Sequence, residues 1–100
     1  MDDVHVSIAV KNESSAEISL CLEPYCEFFC VPPGQKVLVH AICAKSEPAP
    51  EFVVGYSEAI ITVYAPGAPN GLRGAYVTLG GEKLSPSQVD DPVGDRKDEP

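Results

Sequence analysis

Four cysteines, at 21, 26, 30 and 43, and two histidines, at 5 and 40, are the side chains of this chain best suited to hold a soft metal or to act as nucleophile and base. Thiolate and imidazole are the ligands zinc prefers, and a structural zinc site gathers four of them in tetrahedral geometry. The spacings are Cys21-x4-Cys26, Cys26-x3-Cys30 and Cys30-x12-Cys43, none of which is the paired C-x2-C of a zinc knuckle. Cys26, Cys30, His40 and Cys43 are the set that a reversal around residues 32–35 would draw together, because it lays 28–31 beside 36–39. Strand parity works against that set: residues 40 and 43 differ by an odd number and face opposite ways unless a bulge intervenes. The competing reading makes the thiols small core residues.

Catalytic signatures are missing. No G-x-S-x-G elbow, no H-E-x-x-H and no phosphate-binding glycine loop occurs. His40 and Cys43 are the one conceivable base and nucleophile, and three residues apart on a strand their side chains diverge. The expectation is a protein that is not an enzyme and needs no cofactor. Asn12-Glu13-Ser14 matches the N-glycosylation pattern, a match without consequence unless the chain is secreted.

The elements that must position these residues are strands. In Val4–Lys11 the apolar residues 4, 6, 8 and 10 share one face while His5, Ser7 and Lys11 share the other, the two-residue period of a half-buried strand. Asn12-Glu13-Ser14-Ser15 is a polar turn cluster, and alternation resumes over Ala16–Glu23 with Ile18, Leu20 and Leu22 inward, which predicts a first hairpin. Cys21 then falls on the polar face. Pro24 ends that strand, since it has no donor for a ladder. Phe28–Val31 and Lys36–Ile42 flank Pro32-Pro33-Gly34-Gln35 and predict a second hairpin, whose return strand is apolar on both faces and therefore central or covered. Ser46–Glu51, with Pro48 and Pro50, reads as a crossing loop. Phe52–Val54, Glu58–Ala65 and Ala75–Leu79 are further strands, and Gly80-Gly81 predicts a tight hairpin into a short final edge.

About seven short strands at regular spacing predict an all-β fold, a small antiparallel β-sandwich. The phrase Val31-Pro32-Pro33-Gly34-Gln35-Lys36-Val37 resembles the proline-glycine turns of immunoglobulin-like and cupredoxin-like sandwiches, which implies a Greek-key arrangement of one of those kinds. The resemblance covers seven residues and stops there: blue-copper members keep their Cys and a His in a late loop, whereas residues 65–75 here contain neither. From Ser85 onward acids and polar residues dominate, with only Val89 and Val93 apolar, so residues 1–84 are expected to form the domain and 85–100 a disordered acidic tail.

Composition narrows the partners. The formal net charge is −8, with −5 on residues 1–84 and −3 on 85–100. Nucleic acid and anionic membrane surfaces are repelled by such a chain, and a basic protein is favoured. No segment has the length of apolar sequence that spans a bilayer, and the start carries no signal-peptide pattern, so the expected compartment is the cytoplasm with reduced thiols. Leu38, Ile42, Ile60 and Tyr64 would form an apolar patch if the second face of the 36–42 strand met the 58–65 strand, and Tyr25, Phe28 and Phe29 form an aromatic group at the Pro24 turn. Each is either core or a contact surface. The function expected is a non-catalytic protein-interaction module that binds a partner or itself, as a small bacterial adaptor, inhibitor or immunity-type protein does; the alternative is a metal- or thiol-dependent protein built on the Cys/His set.

Overall fold

A computed structural model describes residues 2–47, 49–68 and 70–87. Among them are eight strands and no helix: β1 Asp3–Lys11, β2 Ile18–Glu23, β3 Glu27–Val31, β4 Lys36–Ala44, β5 Val53–Ser57, β6 Ile60–Tyr64, β7 Leu72–Leu79 and β8 Glu82–Lys83. They form two four-stranded sheets, ordered β1-β4-β7-β8 (sheet A) and β3-β2-β6-β5 (sheet B), packed as a sandwich. No helix among the described residues is long and apolar enough to cross a membrane.

The interior is filled by the residues that alternation places inward. Leu20 and Leu22 from β2, Phe29 and Val31 from β3 and Val63 from β6 belong to one core cluster with Val10, Val37, Val39, Ala41 and Val77 of sheet A. Each fully buried Val or Leu contributes about 1.5–3 kcal/mol relative to an exposed one, so this shared layer is the main attraction between the sheets. β4 is central in sheet A, bonded to β1 on one side and β7 on the other, as its two apolar faces imply.

Strand partners differ from the expected ones in two places. β1 pairs antiparallel with β4, from Asp3 opposite Ala44 to Lys11 opposite Lys36, and not with β2. β3 pairs with β2 and not with β4, and β2 runs parallel to β6, so the sandwich is not wholly antiparallel. Both polar clusters expected to reverse the chain within a sheet instead carry it between sheets.

The cause is Asn12, which is 2 % exposed. Its amide Nδ2 donates to the carbonyls of Ala16 (2.8 Å) and Val31 (2.9 Å), while Oδ1 accepts from the Ser14 N–H (2.9 Å) and hydroxyl (2.7 Å). Its backbone N–H donates to the Gln35 carbonyl and its carbonyl accepts from Gly34 N–H, at 2.9 and 2.8 Å. One buried residue thus ties the approach to β2 and the end of β3 through its side chain and the 32–35 turn through its backbone, and it leaves no polar group of its own orphaned. A buried Asn12 is also no glycan acceptor in the folded chain.

Tight turns supply the in-sheet reversals. Gly80 and Gly81 take positive φ in the β7–β8 turn, as expected. The β5–β6 turn uses Glu58 (φ 46°) and Ala59 (φ 68°), a left-handed pair built without glycine. The expected strand over 58–65 therefore begins at Ile60, and its first two residues are the turn. Leu84 packs against the core, and the Ser87 N–H donates to the Phe28 carbonyl on β3 at 2.6 Å. Residues 85–87, expected to open the tail, thus run beside sheet B; the rest of the expected tail lies outside the described residues.

Replacing Asn12 with Ala removes the four hydrogen bonds of its side chain, including the buried one to the Val31 carbonyl. We expect a loss of about 2–3 kcal/mol in folding stability, the cost of unsatisfied buried polar groups. Urea denaturation of Asn12→Ala measures this, and a change below about 0.5 kcal/mol contradicts the role given to Asn12.

Candidate functional site

On a sandwich the inward residues are committed to the core, so function falls to the two outer faces and the open edges. Strand register decides which side chains share each face.

The outer face of sheet A carries a polar row across three strands. Outward parity on β1 presents His5, Ser7 and Ala9; on β4 it presents Lys36, Leu38, His40 and Ile42; on β7 it presents Tyr76 and Thr78. His40 stands at the centre. Its Nδ1 lies 3.0 Å from Nε2 of His5, and its Nε2 lies 2.9 Å from the Thr78 hydroxyl. The ring stacks on Tyr76, with centroids 4.6 Å apart and planes 12° from parallel, and the Lys83 ammonium sits 5.7 Å from the centroid of Tyr76. The two imidazoles share one hydrogen bond, so one of the facing nitrogens donates and the other accepts. Burial lowers the affinity of His40 for a second ring proton, and the neighbouring His5 adds to this.

Beside this row lies a half-open groove of about 560 Å³, lined by Lys36, Leu38, His40, Tyr76, Thr78, Gly80, Gly81 and Lys83. No carboxylate lines it. At the other end of the face the β-bulge between Ile42 and Cys43 sets Arg73 against Asp3, 3.4 Å apart.

Sheet B presents Ile60, Thr62 and Tyr64 of β6, with Phe28 and Cys30 of β3 and Cys21 of β2. Its last strand, β5, has a hydrogen-bonded neighbour on one side only. Val53, Val54 and Tyr56 are 61, 46 and 72 % exposed, so β5 is open on both faces as well as along its edge.

The proposed metal set does not converge. Cys26 is exposed in the β2–β3 turn, Cys30 is exposed on the outside of sheet B, His40 is on the outside of sheet A, and Cys43 is in the interior. Among the described residues no group of three or more potential ligands surrounds a common point. Because β3 pairs with β2, residues 28–31 never lie beside 36–39; Cys30 is opposite Ser19 instead. Parity did place His40 and Cys43 correctly on opposite faces. Cys21 sits on the outer side of its strand, as expected, yet only 5 % exposed between Phe28 and Thr62. Burial and the Glu23 carboxylate, which accepts its S–H at 3.5 Å, push the Cys21 thiol up to about 11. Burial and Glu17 raise Cys30 as well, so both thiols are held in the protonated, weakly nucleophilic form at neutral pH.

The apolar patch divides. Leu38 and Ile42 belong to sheet A, whereas Ile60 and Tyr64 belong to sheet B, so the four share no face. Tyr25 is exposed in the β2–β3 turn and Phe28 is half-buried on β3. Comparison with protein-family models, curated proteins and solved structures found no match. Geometry alone therefore selects among the surfaces, and it adds Tyr76, Thr78, Lys83 and the β5 edge to the residues chosen from sequence. The signal for the first group was outward parity shared with His40; the register that joins them depends on which strands pair.

His40 gives a pH prediction. The folded chain holds His40 neutral, while the unfolded chain protonates it near the ordinary histidine value, so unfolding takes up a proton. The contribution of His40 to stability is present above about pH 6.5 and is lost as pH falls through its lowered folded value. Denaturation midpoints measured from pH 7.5 down to 5.5 should fall more steeply for the native chain than for His40→Gln; identical slopes contradict this.

Proposed function

We propose that this chain is a non-catalytic protein-interaction module that takes an extended basic segment of a partner onto β5 as an added strand. The observation that carries the reading is the contrast among the four sheet edges. β1 is guarded by Asp3, His5 and Lys11 along its length, β8 is two charged residues long, and β3 is met by Ser87. Those are the usual protections against unwanted strand pairing. β5, Val53-Val54-Gly55-Tyr56-Ser57, contains no charge and no proline, and nothing among the described residues covers it.

An open edge of this kind supplies main-chain hydrogen bonds to an incoming strand, while side-chain positions beside it set preference. On the outer face Val53 lies opposite Tyr64, with Ile60 further along β6, so an added strand finds an aromatic and aliphatic row there. Exposed Glu51 and Glu58 flank β5, and the chain as a whole is strongly acidic. Complementarity therefore favours a partner segment that alternates apolar residues with Lys or Arg, and it disfavours a second copy of this chain.

The test is a titration of the isotopically labelled full chain with two synthetic nonapeptides, one alternating Val with Lys and one alternating Val with Glu. The Val/Lys peptide should perturb amides of β5 and β6 saturably, and the Glu51→Lys/Glu58→Lys variant should weaken its binding by about tenfold, roughly 1.4 kcal/mol. Equal binding of both peptides, perturbation elsewhere, or concentration-dependent dimerisation through β5 in sedimentation overturns the reading.

A further inference from the structure

The groove on sheet A is chemically opposite to the rest of the molecule. In a chain of net charge −8, Lys36 and Lys83 line it without a carboxylate among the lining residues, and neither makes an ion pair among the described residues. Lys36 moreover lies directly opposite Lys11 in the β1–β4 register. Like charges directly opposed across strands are destabilising. Lys11 has a partner in Glu13 at 3.8 Å, which leaves the Lys36 ammonium as the one facing the groove unneutralised.

The polar floor and apolar wall are equally specific. The Thr78 hydroxyl, linked to the His40 ring at 2.9 Å, lines the groove with the two lysines and keeps its O–H to donate. Leu38, 36 % exposed, and the Tyr76 ring form an apolar wall beside them. Gly80 and Gly81 close the rim with no side chain, and at both positions a Cβ would meet nothing within 4 Å, so main chain is open to a ligand there. The volume of about 560 Å³ falls within the range of small-molecule sites.

We propose that this groove binds a small oxyanion-bearing molecule with an aromatic or apolar body, of the aryl or alkyl phosphomonoester class. Lys36 and Lys83 pair with the anionic oxygens, the Thr78 hydroxyl, whose oxygen accepts from His40 Nε2–H, donates to them, and the body lies along Leu38 and Tyr76. Two lysines act as point charges and suit a compact phosphate better than a planar carboxylate, which arginine forks recognise. The acidic surface elsewhere is screened beyond roughly 8 Å at physiological salt, so it does not forbid a local anion site.

The test uses phenyl phosphate, inorganic phosphate and phenol, each titrated at pH 7.5 into the labelled full chain. Phenyl phosphate should shift the amides of Lys36, Thr78, Gly80, Gly81 and Lys83 saturably and bind about tenfold more tightly than inorganic phosphate. Lys36→Gln/Lys83→Gln should weaken phenyl phosphate by tenfold or more, and Tyr76→Leu should reduce its advantage over inorganic phosphate; a retained amide spectrum shows that each variant is folded. Shifts that do not saturate, shifts spread equally to Lys45, or phenol binding as well as phenyl phosphate overturn the proposal. The edge of β5 lies on the other sheet, so neither result bears on the partner strand.

Discussion

The buried amide of Asn12 is the constraint from which the arrangement of this sandwich follows. A carboxamide with two donors and an acceptor, excluded from water, must find partners or cost about 1–3 kcal/mol for each group left bare. It finds them in Ser14 and Ala16 of its own connection and in Val31 at the end of β3. Satisfying Asn12 holds the 12–17 connection and the 32–35 connection side by side, each passing from one layer to the other. Hydrophobic burial supplies most of the attraction between layers, but it is non-directional and does not choose strand neighbours. Hydrogen-bonded turns and this clamp do.

Once β1 is joined to β4 and β2 to β3, the two outer faces acquire different chemistry. Sheet A gathers His5, His40, Tyr76, Thr78, Lys36 and Lys83 on one surface, and sheet B keeps the aliphatic and aromatic residues Ile60, Tyr64 and Val53 beside an open edge. A chain with overall negative charge therefore carries one local concentration of cations and one neutral strand edge. These are separate opportunities for binding, divided by the core, and neither requires a thiol. Cys26 lies in a turn, Cys21 and Cys30 on the outer side of sheet B, and Cys43 in the interior close to the loop at Gly67, where a Cβ would come to 3.0 Å from the Cys43 Cβ.

Much of the fold was legible from period-two alternation. It assigned β1, β2, β4 and β7, the inward residues Val10, Leu20 and Leu22, and the glycine turn before β8. It did not reveal partners, because a strand with apolar residues inward looks the same whether its neighbour in sequence lies beside it or across the core. The Asn12–Ser15 and Pro32–Gln35 clusters read equally as hairpin turns and as crossings; Asn12 decides between them only through long-range contacts to Val31 and Gln35. The four-residue metal set failed for this reason. The β5–β6 turn escaped notice because Glu58-Ala59 lacks the Asn-Gly chemistry that usually marks such turns. His40 was singled out from sequence, whereas its neighbours His5 and Tyr76 become neighbours only through the β1-β4-β7 register.

The measurement that tests this account most directly is the set of cross-strand nuclear Overhauser contacts in the full chain, with amide exchange alongside. The account requires Hα contacts linking β1 to β4 and β2 to β3, together with slowly exchanging amides at Asn12 and Gly34. Contacts joining residues 4–11 to 16–23 as neighbours in one sheet, with rapid exchange at Asn12, would contradict it.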